Sequence, residues 1–192
     1  MPTLETQRLI VRPFTADDLD DIHRILDTEL AEVDFGGESA MALDERRAWL
    51  HWTILGYDQF AKLYQPPYGD RAIVLKHTQR LIGACGYVPC LMPFGQLASA
   101  ARSTRLSSTE FGLYYALSPA YRRQGHATEA VKAMMEYAFE QLRLQRIVAT
   151  TQYTNAGSIG VMRKVGMRIE RNPFPDPRWF QVVGVLENDR RD

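Results

Sequence analysis

The sequence predicts a mixed α/β fold of the α+β type, and three features carry the prediction. Residues 109–128, TEFGLYYALSPAYRRQGHAT, alternate Phe111, Leu113, Tyr115 and Leu117 with Glu110, Gly112, Tyr114 and Ala116, the period of two that a strand requires, until Ser118-Pro119 halts it. Segments 72–76 and 81–88 flank Thr78-Gln79 as the arms of a hairpin. Elsewhere apolar residues recur at helical spacing, as in Val131, Met134, Met135, Ala138 and Leu142. With 192 residues the chain suits one domain spanning 1–192, large enough to bury a core without disulfides or metals, and 188–192 read as a loose tail.

In chain order, 4–11 reads as a first strand ended by Pro13, and Thr15-Ala16-Asp17-Asp18 is a helix start, a hydroxyl residue followed three positions later by a carboxylate. Leu19, Ile22 and Leu26 give that helix a buried stripe. Segment 31–40, with Gly36-Gly37, is a loop. Asp44 serves as the N-cap of a second helix reaching about Tyr57, with Trp49, Trp52 and Leu55 on its core side. Gln65-Pro66-Pro67-Tyr68-Gly69-Asp70 is turn chemistry leading into the hairpin. Segment 89–108 loses all periodicity and reads as a loop of about 20 residues, long enough to be either mobile or functional. Beyond 128, the helix carries Glu129 in its first turn and Arg143 near its end. A β-branched strand follows at 147–152, and Asn155 starts a helix that turns Ile159, Met162 and Val165 inward and closes at Gly166. Segments 167–171 and 179–186 form a last strand pair across the Pro-rich loop 172–178.

Composition removes several function classes. Lys plus Arg equals Asp plus Glu at 23 each, so no global field recruits nucleic acid or an anionic membrane. The N-terminus lacks the succession of a signal peptide, and no apolar run approaches the roughly 20 residues that span a bilayer, so the expectation is a soluble, cytoplasmic protein. Cys85 and Cys90 have no second Cys or His pair at ligand spacing, which argues against a metal site; both read as inert thiols.

The chemistry concentrates where the 109–117 strand meets its helix. In Arg122-x-x-Gly125-x-Ala127, small residues keep the backbone accessible, Arg122 and Arg123 supply positive charge, and the first helical turn leaves N–H groups without partners. Such a start binds phosphate, although the same residues also fit a plain strand-to-helix turn.

Three blocks in order, Leu4-x-Thr6-x-Arg8-Leu9-x-x-Arg12, Arg122-x-x-Gly125-x-Ala127 and Asn155-x-x-Ser158 with Gly166-Met167 behind it, resemble those of the GNAT superfamily of N-acetyltransferases, in particular its RimJ/RimL-like branch of ribosomal-protein N-terminal acetyltransferases. The resemblance covers nearly the whole length. It implies a GNAT fold: a central, mostly antiparallel twisted sheet of six to seven strands, the fourth and fifth splayed, flanked by about four helices. It implies acetyl-CoA as cosubstrate and no metal. The pantetheine arm would pair with the backbone of Tyr115, Ala116 and Leu117. The pyrophosphate would lie on the loop of Arg122, Arg123, Gln124, Gly125, His126, Ala127 and Thr128, and Asn155 and Ser158 would contact the cofactor.

An amine must lose a proton before it attacks a thioester, so a base is required. By resemblance the candidates are Glu110 and Glu170, each of which also reads as a salt-bridged carboxylate, and a water chain is a third possibility. Many superfamily members place an acidic Tyr where this chain has Met162, so that role is not carried over. Ser158 becomes the candidate acid, with a helix-cap hydroxyl as its other reading and Tyr153 as a substitute. His126 occupies a variable position and reads as exposed near the nucleotide rather than catalytic.

The expected reaction is direct acetyl transfer to a primary amine in a ternary complex. The acceptor is a protein N-terminus or a small-molecule amine, and the protein acts as a monomer or homodimer. A non-catalytic acyl-CoA-binding domain is the alternative. A phosphate-loop nucleotidase is disfavoured because no Gly-Lys-Ser/Thr follows the loop.

Overall fold

The computed structural model describes residues 1–31, 40–97, 99 and 107–188. The interior of the expected 31–40 loop, most of 98–106 and the tail beyond 188 lie outside these residues. Among the described residues there are eight strands and four α-helices, joined by short 3-10 and π turns. They fall into two compact units, Met1–Tyr87 with Tyr114–Met134, and Val88–Leu113 with Met135–Asp192.

In the first unit the strands run antiparallel in the order β1 (Leu4–Glu5), β2 (Leu9–Arg12), β3 (Gly69–Leu75) and β4 (Leu81–Met92), the last of which continues into the second unit. The expected first strand is thus two strands, paired Leu4 to Val11 and Glu5 to Ile10. The break lies at Thr6, whose N–H donates to the Leu9 carbonyl at 3.0 Å and whose hydroxyl oxygen accepts the Leu9 N–H at 2.9 Å, folding the run back on itself. That extra strand raises the count above the expected six to seven. The hairpin β3–β4 closes through Gln79, which adopts φ 56°.

Thr15 starts the first helical segment as its sequence requires: its N–H donates to the Asp18 carboxylate at 2.7 Å. A 3-10 turn (Ala16–Asp18), α1 (Leu19–His23) and a π turn (Arg24–Glu29) follow, with Ile22, Ile25 and Leu26 buried. Helix α2 spans Leu43–Lys62; it starts from Ala42 rather than Asp44, the Ala42 N–H donating to Glu45 at 2.9 Å. Its core face also differs from expectation. Arg46, Leu50 and Thr53 are buried at helical spacing, while Trp52 and Leu55 are exposed at 63% and 52%. The cause is Arg46, whose guanidinium makes two 2.8 Å bonds to the buried Asp27 carboxylate and thereby sets the rotation of the helix. Around that pair, Phe14, Ile22, Ile25, Leu30, Leu50, Val74 and Leu81 form the core of the unit.

In the second unit the order is β5 (Ser108–Leu117), β6 (Arg146–Thr151), β8 (Val182–Glu187) and β7 (Arg168–Arg171), with α4 (Ala156–Lys164) before β7. The last residues of β5 belong to the first unit. Strands β5 and β6 run parallel and share one paired position, Gly112 opposite Val148, whereas β8 is antiparallel to both β6 and β7. Met92, Leu97, Val148, Phe180, Val183 and Val185 make the core.

Two expectations change in this unit. Strand β4 runs through Pro89 to Met92, with Val88, Cys90 and Met92 turned inward relative to Pro89 and Leu91, so part of the supposed 89–108 loop is strand. Asn188 is not loose: its N–H donates to Gln145 O at 2.8 Å and its amide to Leu144 O at 3.0 Å. Burial pushes up the pKa of both Cys85 and Cys90, which disfavours the reactive thiolate. No described helix is long and apolar enough to cross a membrane.

Candidate functional site

The first unit holds the loop. Strand β5 ends at Leu117, and the Ser118 N–H donates to Ile82 O at 2.9 Å, anchoring the strand end to β4. The approach is close: a Cβ on Gly83 would lie 2.2 Å from the Ala116 carbonyl oxygen. Ala116 and Leu117 are therefore backed directly by β4 backbone. After a 3-10 turn (Pro119–Tyr121), Arg123 at φ 60° and Gly125 at φ 86° turn the chain into α3 (His126–Glu140). The helix closes its first bond from Glu129 N–H to Gly125 O at 3.0 Å, which leaves the N–H groups of residues 125–128 outside its ladder. Arg122, Arg123, Gln124 and Gly125 are exposed beside them, whereas Ala127 and Thr128 are half-buried.

The first and second sequence blocks meet at Glu129. One carboxylate oxygen accepts from the Thr6 hydroxyl at 2.5 Å and the Arg8 N–H at 2.8 Å; the other accepts from Arg8 Nε at 2.7 Å and Nη2 at 2.6 Å. Arg8 Nη1 also donates to Gln124 O at 2.9 Å. Burial pushes the Glu129 carboxyl up, but the donors on Thr6 and Arg8 outweigh it and hold the group below its ordinary value. Sequence reasoning gave Glu129 only a favourable position near the helix N-terminus. The usable signal was an acid in the first turn after a Gly loop, together with an unexplained Thr-x-Arg in the first strand.

His126 departs from expectation. It is 5% exposed, and burial first, then the charge of Arg8, lower its pKa against the opposing pull of Glu129, so protonation of the ring is disfavoured. Burial at the first helical position, rather than a solvent-facing site, is the reason. Among the described residues, His126 Nδ1 and Ser118 Oγ belong to the buried polar atoms without a hydrogen-bond partner, and they stand one at each end of the loop.

The second unit holds the candidate acid and bases. Glu110, 4% exposed, is enclosed by donors: Arg146 Nε at 2.7 Å, Arg146 Nη2, and Ser108 Oγ at 2.7 Å. Arg146 lies over the Phe94 ring at 5.4 Å. Glu170 sits in a separate network, accepting from Ser99 Oγ at 2.7 Å and from Arg168. Burial raises its pKa, and Ser99 and Arg168 together more than reverse that. The arginines differ: the partner of Glu170 is 56% exposed and that of Glu110 38%.

Asn155 caps α4, its Oδ1 accepting the Ser158 N–H at 3.0 Å. Met162 is buried in the core, and a Cβ on Gly184 would meet its sulfur at 3.1 Å. The Tyr153 hydroxyl donates to Asn172 O, which commits it to holding the 172–178 loop. Among the described residues no group of three His, Cys, Asp or Glu side chains is arranged for a metal ion.

The family model described as an acetyltransferase (GNAT) domain matches residues 8–168. An uncharacterized N-acetyltransferase, YoaA of Bacillus subtilis, is 29% identical over 88% of this chain and 84% of its own length. A local match to a second Bacillus subtilis protein spans only 33% of that relative. Among solved structures, a GNAT-family acetyltransferase from Bacillus anthracis aligns with a TM-score of 0.71 at 19% identity, covering 98% of this chain and 99% of that one. RimL, described as a ribosomal L7/L12 alpha-N-protein acetyltransferase in complex with coenzyme A, aligns with a TM-score of 0.68 at 14% identity over 97% of this chain and 98% of that one. At such identities the two structures speak to the fold.

Proposed function

The chain belongs to the GNAT acetyltransferase family, and from that premise we propose that it transfers the acetyl group of acetyl-CoA to a primary amine by direct attack, in the manner of the RimJ/RimL-like branch. The observation that carries this reading is the loop. Exposed residues 122–125, a left-handed Gly125 and the N–H groups of 125–128 fit a pyrophosphate, and the orphaned Ser118 Oγ and His126 Nδ1 are polar groups in want of a partner. Tyr115, Ala116 and Leu117 precede the loop on β5 and are proposed to pair with the pantetheine arm, with Asn155 and Ser158 as further cofactor contacts.

For the chemistry, the amine nitrogen forms a bond to the thioester carbon, the C–S bond breaks, the amine gives up a proton and the thiolate receives one. Of the two carboxylates, Glu170 is proposed as the base, because its cation is the more exposed and can swing away, whereas Glu110 is enclosed by Arg146 and Ser108. Ser158 is proposed as the acid. The acceptor is a protein N-terminus or a small-molecule amine.

Gly125→Val tests the cofactor reading. The left-handed φ of 86° strains a β-branched residue, so coenzyme A binding by calorimetry is expected to vanish, while a thermal melt that is lowered but still cooperative shows the protein to be folded. Unchanged affinity would remove the loop from the cofactor site. A second reading, a non-catalytic acyl-CoA-binding domain, draws on the fact that Glu110 and Glu170 are both engaged by arginines. Thiol release from acetyl-CoA with a panel of amines decides: tight coenzyme A binding without amine-dependent release supports the binder.

A further inference from the structure

We propose that Arg8, held by Glu129, is a positioning residue that keeps the Gln124–Gly125 peptide from turning over in the anion loop. The inference rests on the cofactor reading above and assigns work to two residues outside the loop motif.

In a trans peptide the carbonyl of one residue and the N–H of the next point in opposite directions. Arg8 Nη1 donates to Gln124 O at 2.9 Å, so the Gly125 N–H is turned away from Arg8. The rotation of this peptide is poorly restrained by its own residues, because glycine accepts conformations that other residues resist. Turned over, the same peptide would present a carbonyl oxygen where the N–H had been, replacing a donor for an anion with a repulsive dipole. The backbone geometry at Gly125 therefore needs a lock from outside.

Arg8 is built as that lock. Its Nε and Nη2 both donate to Glu129 Oε2, at 2.7 and 2.6 Å, and its N–H donates to Oε1 at 2.8 Å, where the Thr6 hydroxyl arrives as well at 2.5 Å. The fork leaves Nη1 fixed in direction, which a lysine ammonium on a flexible stem does not reproduce. The fit is tight. Glycine suits position 125 for its φ of 86°, and a Cβ there would crowd the guanidinium at 3.2 Å from Arg8 Nη2.

Calorimetric titration of wild type, Arg8→Lys and Glu129→Gln with coenzyme A and, separately, with pantetheine, which lacks the pyrophosphate, tests the proposal, with a thermal melt of each protein as the control for folding. Coenzyme A affinity is expected to fall roughly tenfold or more in both variants, the scale of one charge-assisted hydrogen bond, while pantetheine affinity stays at the wild-type value. Arg8→Lys binding coenzyme A like wild type would show that charge alone matters and overturn the proposal. Equal weakening toward both ligands would do the same, marking a general structural role. The cofactor reading fails separately: a folded wild type that binds no coenzyme A defeats it and this proposal with it. If Gly125→Val abolishes binding while the Arg8 and Glu129 variants bind normally, the lock alone is lost.

Discussion

Replacing Glu110 by Gln separates a structural carboxylate from a catalytic one. The substitution keeps the shape of a side chain that is 4% exposed but turns one acceptor oxygen into a donor, and its neighbours, Arg146 and Ser108, also donate. One charge-assisted hydrogen bond is lost, worth about 1.5–3 kcal/mol. Arg146 is 38% exposed and can recover water, so the cost belongs at the lower end, about 1.5–2 kcal/mol. For a chain of this size that lowers the melting midpoint by roughly 3–8 °C. The expected kinetic outcome is the opposite of a lost base: thiol release at saturating acetyl-CoA, with the best amine of the panel, stays within about threefold of wild type below the melt, whereas losing a general base costs roughly 10²–10⁴ in kcat. Glu170→Gln, by the same assay, is expected to show the large loss. A hundredfold drop for Glu110→Gln, with an unchanged melt, would refute the assignment of this carboxylate to the scaffold.

Other expectations concern the frame around the site. Gly83→Ala places a Cβ 2.2 Å from the Ala116 carbonyl, so β4 and the end of β5 must separate; a loss of about 1–3 kcal/mol in urea denaturation is expected, and wild-type stability would contradict that close approach. Asp27→Asn leaves the buried Arg46 charge uncompensated and should cost about 3–5 kcal/mol by the same measurement. His126 titrates below the ordinary histidine value of 6.5, so on acidification the unfolded chain takes up its proton first. Its contribution to stability is therefore complete above pH 6.5 and is lost as pH falls through the folded value; stability of a His126→Gln variant, followed in urea, should lose that slope. Asn155→Ala removes the α4 cap and should cost about 1 kcal/mol, read as a melting shift of roughly 2–4 °C; no shift would show the cap to be idle.

What the sequence disclosed, and what it withheld, follows from the range of the forces involved. Local signals were faithful: the alternation of 109–117, the stop at Ser118-Pro119, the Thr15 and Asn155 caps and the glycine at 166 each act within a few residues, and each appears where expected. On α2, Trp49 packs against the core as expected but Trp52 and Leu55 do not, because the buried ion pair between Arg46 and Asp27 occupies that face, and nothing local to either residue announces the other. Proline usually ends pairing, which is why β4 is expected to stop before Pro89, yet the alternation of Val88, Cys90 and Met92 carries it through to Met92. At the site, the loop motif was visible, but its tie to Thr6 and Arg8 was not, since no periodicity connects residues so far apart.

That tie also bears on the order in which the protein is made. The bonds from Thr6 and Arg8 to Glu129 join residues 123 and 121 positions apart, and closing so long a chain costs entropy before any contact repays it. During synthesis β1 and β2 are made well before residue 129, so Thr6 and Arg8 are expected to be secured only after the much later loop has been added. If the lock forms late, coenzyme A present during refolding should leave the rate of folding unaltered and slow only unfolding, and acceleration of folding would show that the loop takes shape on its own. The cofactor would then act as a seal on the finished protein rather than a template for it.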